Sequence, residues 1–334
     1  MINRRSFTHL VLATVALAIA VGCSPAQTPD PQAAASASGT QFKVAMLLSG
    51  AKDDGSWSQA GYEGLKLVES KFNAQIAFTE NVTKSDSVAV MRKYADDGYN
   101  FIIGHDGLFI QPSETVAKDY PRTKFAVVNT YPGNNTNLGA VAVRSGESGY
   151  LTGLLAGMKT KTNKVAYIAG DKYPVLEEEA TLFARGAKAA NPQVQVSVQY
   201  LGSWTDTTKG QQTAQALMAQ QVDVLAINAD EAGLAAIKQV AQTGDVEVIG
   251  WIKDQYELAP KQIITSVLQD IPQLIVNAAT LVQQGRWEGK LYKFGLREKI
   301  YDFAPFRGQL TPEQEAQFNA AREQVTIGAI DVTP

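Results

Sequence analysis

Residues 42–72 read FKVAMLLSGAKDDGSWSQAGYEGLKLVESKF. The first nine form a near-continuous apolar run, and from Trp57 to Phe72 apolar side chains recur every three or four positions. That is a buried strand handing over to an amphipathic helix. Between them stand two adjacent acids, Asp53 and Asp54, then Gly55, Ser56 and Trp57. Paired carboxylates and an indole at such a junction fit two kinds of chemistry. One is acid–base catalysis; the other is a pocket that grips a flat polar molecule.

The same alternation runs on down the chain. Strands are expected at 75–81, 100–106 and 124–131, with helices over 87–98 and 113–120. After a helix over 149–161 the rhythm repeats. Strands fall at 164–171, 194–202, 222–230 and 246–251, separated by helices that end at Ala190 or cover 209–221 and 234–244. Matched strands of the two halves begin about 120 residues apart, four times over. Apolar strands alternating with helices indicate parallel sheets covered on both faces. The expected fold class is therefore α/β, with two Rossmann-like lobes joined by a three-segment hinge. A further strand at 262–270, a helix over 271–285, strands at 290–296 and 299–306 and a helix over 311–324 carry the chain back between the lobes. Crossings are expected near 142–146, 256–260 and 285–290. This assigns 42–142 plus 258–286 to the amino-terminal lobe and 143–257 plus 287–334 to the carboxyl-terminal lobe.

Residues 1–22 read as a signal peptide. Arg4 and Arg5 precede an apolar run from Leu10 to Val21, too short to span a bilayer. AVGC at 20–23 has the form of a lipobox, in which the leader is cut before Cys23 and that cysteine is lipidated. Cys23 is the one cysteine of the chain, and NRRSF at 3–7 also resembles a twin-arginine export signal. Residues 23–41, rich in Ala, Ser, Pro and Gln, form a flexible tether. The expectation is an exported domain, anchored to the cell membrane by lipid and facing the periplasm or cell exterior. A net charge of −3 with no basic block excludes nucleic acid as a partner.

Ligands of open parallel sheets bind beyond the carboxyl ends of the strands. The residues expected there are Asp53, Asp54, Trp57, His105, Asp106 and Asn129 in the first lobe. In the second they are Asp171, Tyr173, Trp204, Asn228, Asp230, Trp251, Lys253 and Asp254. Aromatic rings with a few polar anchors suit a planar heteroaromatic ligand, stacked on its faces and bound by acids at its N–H groups. The competing duty is helix capping, which Asp54 with Ser56, and Asp206, could equally perform. Glu177–Glu179 read as a solvated helix face. His105 is the one histidine beyond the leader, and it reads as a loop residue. No histidine-based triad, zinc site, free mature cysteine or phosphate-binding glycine loop is present in the pattern, so no catalytic residue, metal site or cofactor is assigned.

Several blocks resemble the basic membrane protein family, substrate-binding lipoproteins of ABC importers with a type I periplasmic-binding fold that include purine nucleoside receptors. DDGSWSQAGYEG at 53–64 resembles the family's NDKSFNQSAYEG, and YPRTKFAVVN at 120–129 its YPDVKFAIID. RSGESGYLTGLLAG at 144–157 is similar to REEEGSYLAGVLAG, GSWTDTTKG at 202–210 to GSFNDPAKG, and IITSVLQD at 263–270 to VLTSVLKR. The resemblance spans about 42–325 and implies a monomer that captures a purine between its lobes and docks on an ABC permease with its ATPase. It places the base against Trp57 and Trp204, with Asp53, Asp54 and Asn129 as polar contacts. The family's GVDSDQ stands here as GWIKDQ at 250–255, so Ile252 replaces an acid that holds ribose, while Asp254 keeps its partner. A second ribose contact, a lysine, is Gln269 here. A free nucleobase is therefore expected, with a nucleoside as the alternative. A sensing protein without an importer and a periplasmic nucleoside hydrolase are the competing classes.

Overall fold

The computed structural model describes residues 41–55 and 57–334. The leader, Cys23, the tether up to Thr40 and Ser56 lie outside the described residues.

The first sheet is built by β1 (Lys43–Leu47), β2 (Gln75–Thr79), β3 (Phe101–Gly104), β4 (Lys124–Val128) and β5 (Leu138–Val143), interleaved with α1 (Trp57–Phe72), α2 (Ser87–Asp96) and α3 (Ile110–Ala117). The chain then enters the second lobe. There α4 (Ser145–Lys159), β6 (Lys164–Ala169), α5 (Pro174–Ala190), β7 (Gln195–Tyr200), α6 (Thr207–Ala219), β8 (Val224–Asn228), α7 (Asp230–Ala241), β9 (Glu247–Gly250) and β10 (Ile263–Gln269) follow in order. Next, α8 (Ile271–Gln283) returns to pack on the first-lobe core with α1, and β11 (Leu291–Phe294) joins the first sheet beside β5. β12 (Tyr301–Phe303) and α9 (Pro312–Thr326) end in the second lobe. The sheet orders are β11-β5-β4-β3-β1-β2 and β12-β10-β9-β8-β6-β7. All neighbours are parallel except β12, which is an antiparallel edge. Central strands β1, β3, β4, β6 and β8 are buried almost throughout, which is why their sequences are apolar runs rather than alternations.

Two crossings lie later than expected. The apolar strand Ile263–Gln269 pairs with β9, so the chain stays in the second sheet and leaves it only between Gln269 and Ile271. Of residues 258–286, α8 is the element that packs in the first lobe. β11 pairs with β5, so the last crossing follows Phe294 rather than 285–290. β5 itself, LGAVAV, was not foreseen as a strand. The three crossings are knotted together. Arg144 N donates to Phe294 O at 2.8 Å and Asp270 N to Ile300 O at 2.6 Å. The Arg144 guanidinium grips both oxygens of Glu298, at 2.6 and 3.2 Å. The buried Glu147 carboxylate accepts from Leu296 N at 2.9 Å and from the Tyr301 hydroxyl at 2.6 Å.

Helix α4 is buried from Ser145 to Gly157. It lies unusually close to α5 because Gly149, Gly153 and Gly157, four apart, turn one bare stripe toward it. A Cβ on Gly153 would sit 2.0 Å from the backbone oxygen of Phe183, which cannot swing away as a side chain would. Alanine elsewhere in a helix is favoured over glycine by about 1 kcal/mol. Overpacking a rigid contact costs about 1–3 kcal/mol. The second effect wins here, so Gly153→Ala is expected to lower the unfolding free energy by roughly 1–2 kcal/mol net, seen as a lower urea midpoint. An unchanged or raised midpoint would show that the helices are not in backbone contact.

Candidate functional site

The strand ends of the first lobe are set by α1. Both oxygens of Asp54 cap it, accepting from Ser58 N and Gln59 N at 3.0 Å each. Asp54 is thus a helix cap, the competing duty open to an acid at that junction. Trp57 opens the helix and stacks on His105, ring centroids 4.6 Å apart and 14° from parallel. The lock is reciprocal. Trp57 Nε1 donates to His105 O at 3.1 Å, and His105 Nε2 pairs with Trp57 O at 2.8 Å. Since a carbonyl can only accept, Nε2 carries the proton. His105 is therefore a loop residue rather than a base, as expected, and it forms the bed of the indole. Burial holds its pKa down at about 4, and Nδ1 is sealed without a partner among the described residues. Asp106 accepts from Leu108 N at 2.9 Å and Ser49 Oγ at 3.1 Å. Asn129 Oδ1 accepts from Thr130 N at 2.8 Å, which leaves its amide nitrogen against Gly107. Asp53 is solvent-facing, 3.8 Å from Lys52 Nζ.

In the second lobe Trp204 lies over the end of β6. A Cβ on Gly170 would fall 2.3 Å from its indole, so the ring's seat requires glycine. Asp206 caps α6 through Lys209 N at 3.0 Å. Tyr173 is exposed just before α5. Its phenol is raised by partial burial, then by Asp171, with a smaller contribution from Asp106 of the first lobe. Lys253 spans the gap outright, donating to Gly55 O at 3.1 Å. The turn that presents it is strained: Lys253 N donates to Trp251 O at 2.9 Å around Ile252, whose φ is +72°. That is a γ-turn of the rare hand, centred on a β-branched residue. Asp230 opens α7, also with positive φ, at +41°.

Three of the expected contacts have partners within the fold. Trp251 is 1% exposed and belongs to the second-lobe core, edge-on to Tyr167 at 6.1 Å. It is no open platform, although its indole N–H has no partner among the described residues. Asp254 is ion-paired with Arg307 at 2.5 Å, and that guanidinium lies 4.3 Å over Tyr256. Asn228 turns its amide nitrogen into the core, donating Nδ2 to Glu179 Oε2 at 2.8 Å.

Glu179 corrects the reading of Glu177–Glu179 as a solvated face: it is 1% exposed. Its spacing was the available signal, three residues after Leu176 and four before Phe183, both buried on the same stripe of α5. The carboxyl gathers Asn228, the Tyr167 hydroxyl and Ser148 Oγ at 3.1 Å. Burial outweighs these donors and raises its pKa to about 7.

The family described as ABC transporter substrate-binding protein PnrA-like matches residues 41–333. A purine-binding protein of Brucella abortus is 27% identical over 299 residues, covering 87% of this chain and 84% of that protein. Transcriptional activator protein med of Bacillus subtilis is 27% identical over 300 residues, 90% of each. A solved ABC transporter solute-binding protein from Aeropyrum pernix has the same fold, with a TM-score of 0.73 at 22% identity over 88% of this chain and 94% of that one.

The buried acid and the buried histidine have opposite effects on stability. The folded protein holds the Glu179 proton more tightly than the unfolded chain does. Its contribution is therefore full below about 4.5, falls as pH rises to about 7, and is level above. His105, held neutral, contributes in the other direction as pH rises from about 4 to 6.5. Comparing Glu179→Gln with wild type isolates the first term. The stability difference in urea melts is expected to move in favour of the variant by up to roughly 3 kcal/mol between pH 5 and 8. A constant difference would mean that Glu179 ionises as an ordinary carboxylate.

Proposed function

The chain belongs to the PnrA-like family of ABC transporter substrate-binding proteins, and from that premise we propose that it captures a purine nucleobase between its lobes and releases it unchanged. The observation that carries this is the pair of indoles. Trp57, bedded on His105, and Trp204, bedded on Gly170, stand at strand ends of opposite lobes with their orientations already set. A flat heteroaromatic ring between such faces gains stacking with little ordering cost. Asp53, Asn129 and Tyr173 supply polar contacts around it. Asp54 and Asp254 support the site from behind, through the α1 cap and the Arg307 pair. Carboxylates so engaged suit binding rather than hydrolysis.

The preference for a base over a nucleoside rests on Ile252 and Gln269. Gln269 N donates to Ile252 O at 2.9 Å, so the two positions that would anchor ribose lie together. They line one cleft of about 560 Å³ with Gly55, Gln59 and Lys253. With an aliphatic and a neutral side chain there, sugar hydroxyls lose charged partners worth roughly 1.5–3 kcal/mol each. A ligand touching both lobes favours the closed form by its difference in affinity for closed over open. In this reading the protein is monomeric, lipid-anchored through Cys23 outside the cell membrane, and delivers its cargo to a permease and ATPase. A sensing role is the second reading, favoured by the name of the B. subtilis relative. Loss of labelled-base uptake on gene deletion would separate transport from sensing.

Calorimetry against adenine, guanine, hypoxanthine and their nucleosides is expected to show bases binding more tightly. Trp57→Ala is expected to weaken the best ligand tenfold or more, from a stacking loss of about 1–3 kcal/mol. Tighter nucleosides throughout would reverse the base preference, and silence across the panel would end the purine reading. Cys23→Ala is expected to shift the protein from the membrane to the soluble fraction.

A further inference from the structure

Asn228 closes β8 on the second lobe's side of the gap. Its amide nitrogen donates to Glu179 Oε2, and the Tyr167 hydroxyl lies within reach of the same amide. Both partners are buried beneath the strand end. A carboxamide carries its donor and acceptor on opposite edges of one plane, so drawing the nitrogen into the core turns Oδ1 outward. Among the described residues Oδ1 accepts no hydrogen bond, and it is not sealed from solvent.

The reversed amide is disfavoured by what surrounds it. Glu179 Oε2 already accepts from the Tyr167 hydroxyl, so a flipped Oδ1 would meet an oxygen engaged as an acceptor. The other oxygen, Oε1, accepts from Ser148 Oγ at 3.1 Å, a hydroxyl that also lies 3.0 Å from Ser145 O, so Oε2 is the oxygen left to Asn228.

We propose that Asn228 Oδ1 reads an N–H group of the bound heterocycle, and that Glu179 is the positioning residue that fixes the amide for this task. The inference rests on the reading of the ligand as a purine and adds a selection rule to it: the ring must present an N–H donor toward β8. An acceptor or a bare C–H there would leave Oδ1 desolvated and unpaired, which is a discriminating penalty.

Two ligand pairs test the rule by calorimetry. Adenine and unsubstituted purine differ by the exocyclic amine; adenine and 9-methyladenine differ by a ring N–H. Wild type is expected to favour adenine about tenfold or more in at least one pair. Asn228→Ala brings that ratio to within about threefold of unity. Glu179→Leu does the same, whereas Glu179→Gln keeps it, because glutamine still offers Asn228 an acceptor and donates to Ser148. A merely structural role for Glu179 would weaken all ligands alike and leave the ratio standing. An unchanged ratio in Asn228→Ala or in folded Glu179→Leu overturns the proposal, as does equal binding of both members of both pairs by wild type. If Glu179→Leu does not fold, Asn228→Ala decides alone. A wild type that binds no purine overturns the functional reading and this proposal with it.

Discussion

Parallel strands covered on both faces leave polar side chains one place to gather, and the rest of the molecule follows from that constraint. Nothing inside the central strands β1, β3, β4, β6 and β8 can carry an unpaired charge without a cost of several kcal/mol. Carboxylates, amides and indole N–H groups therefore collect at the carboxyl ends, where helix amino-termini also need acceptors. The same acids are wanted by the helices and by any ligand. Local geometry settles the contest at Asp54 and Asp106, whose oxygens accept backbone N–H groups. What remains toward the gap is mostly flat and weakly charged: two indoles, an amide, a phenol. A site of that kind binds by shape and stacking.

The indoles differ in what seats them. Trp57 is held by two hydrogen bonds and a ring, each from His105, so losing that histidine would free the platform itself. Because His105 is neutral, the stack is between two uncharged π-systems. Trp204 is held by what is missing, a Cβ on Gly170. Both devices fix orientation in advance, which lowers the ordering cost of capture.

The alternation of strands and helices was legible because burial on both faces writes itself as apolar runs, and α1 because its stripe repeats every three or four residues. β5 was not, since LGAVAV carries small residues and a glycine that give little β signal. Nor could the chain's choice of sheet for Ile263–Gln269 be read: an apolar strand looks the same beside β9 as beside β5. At the site, Trp57 opens α1 after a loop that follows β1, whereas Trp251 comes directly after β9, and it fills the core. That difference lies in the direction the backbone takes after the strand, and the turn at Ile252 has a φ the sequence gives no reason to expect. Glu179 was hidden by its neighbours, because three consecutive acids read as one solvated run although only Glu177 is exposed.

Two adjacent residues of α4 join the hinge to the site. Glu147 reaches back to Leu296 and Tyr301 of the last crossing, while Ser148 reaches forward to Glu179, which holds Asn228. The helix between these bonds cannot bend independently of α5, because the glycine stripe sets their backbones in contact. Interdigitated interiors of this kind move as blocks rather than deform. In the proposed capture, closure falls to the crossing backbone at 143–145, 269–271 and 294–300, with the second lobe carried as one body; Lys253 and Gly55 would then meet or part as that body turns, and Asn228 would keep its orientation.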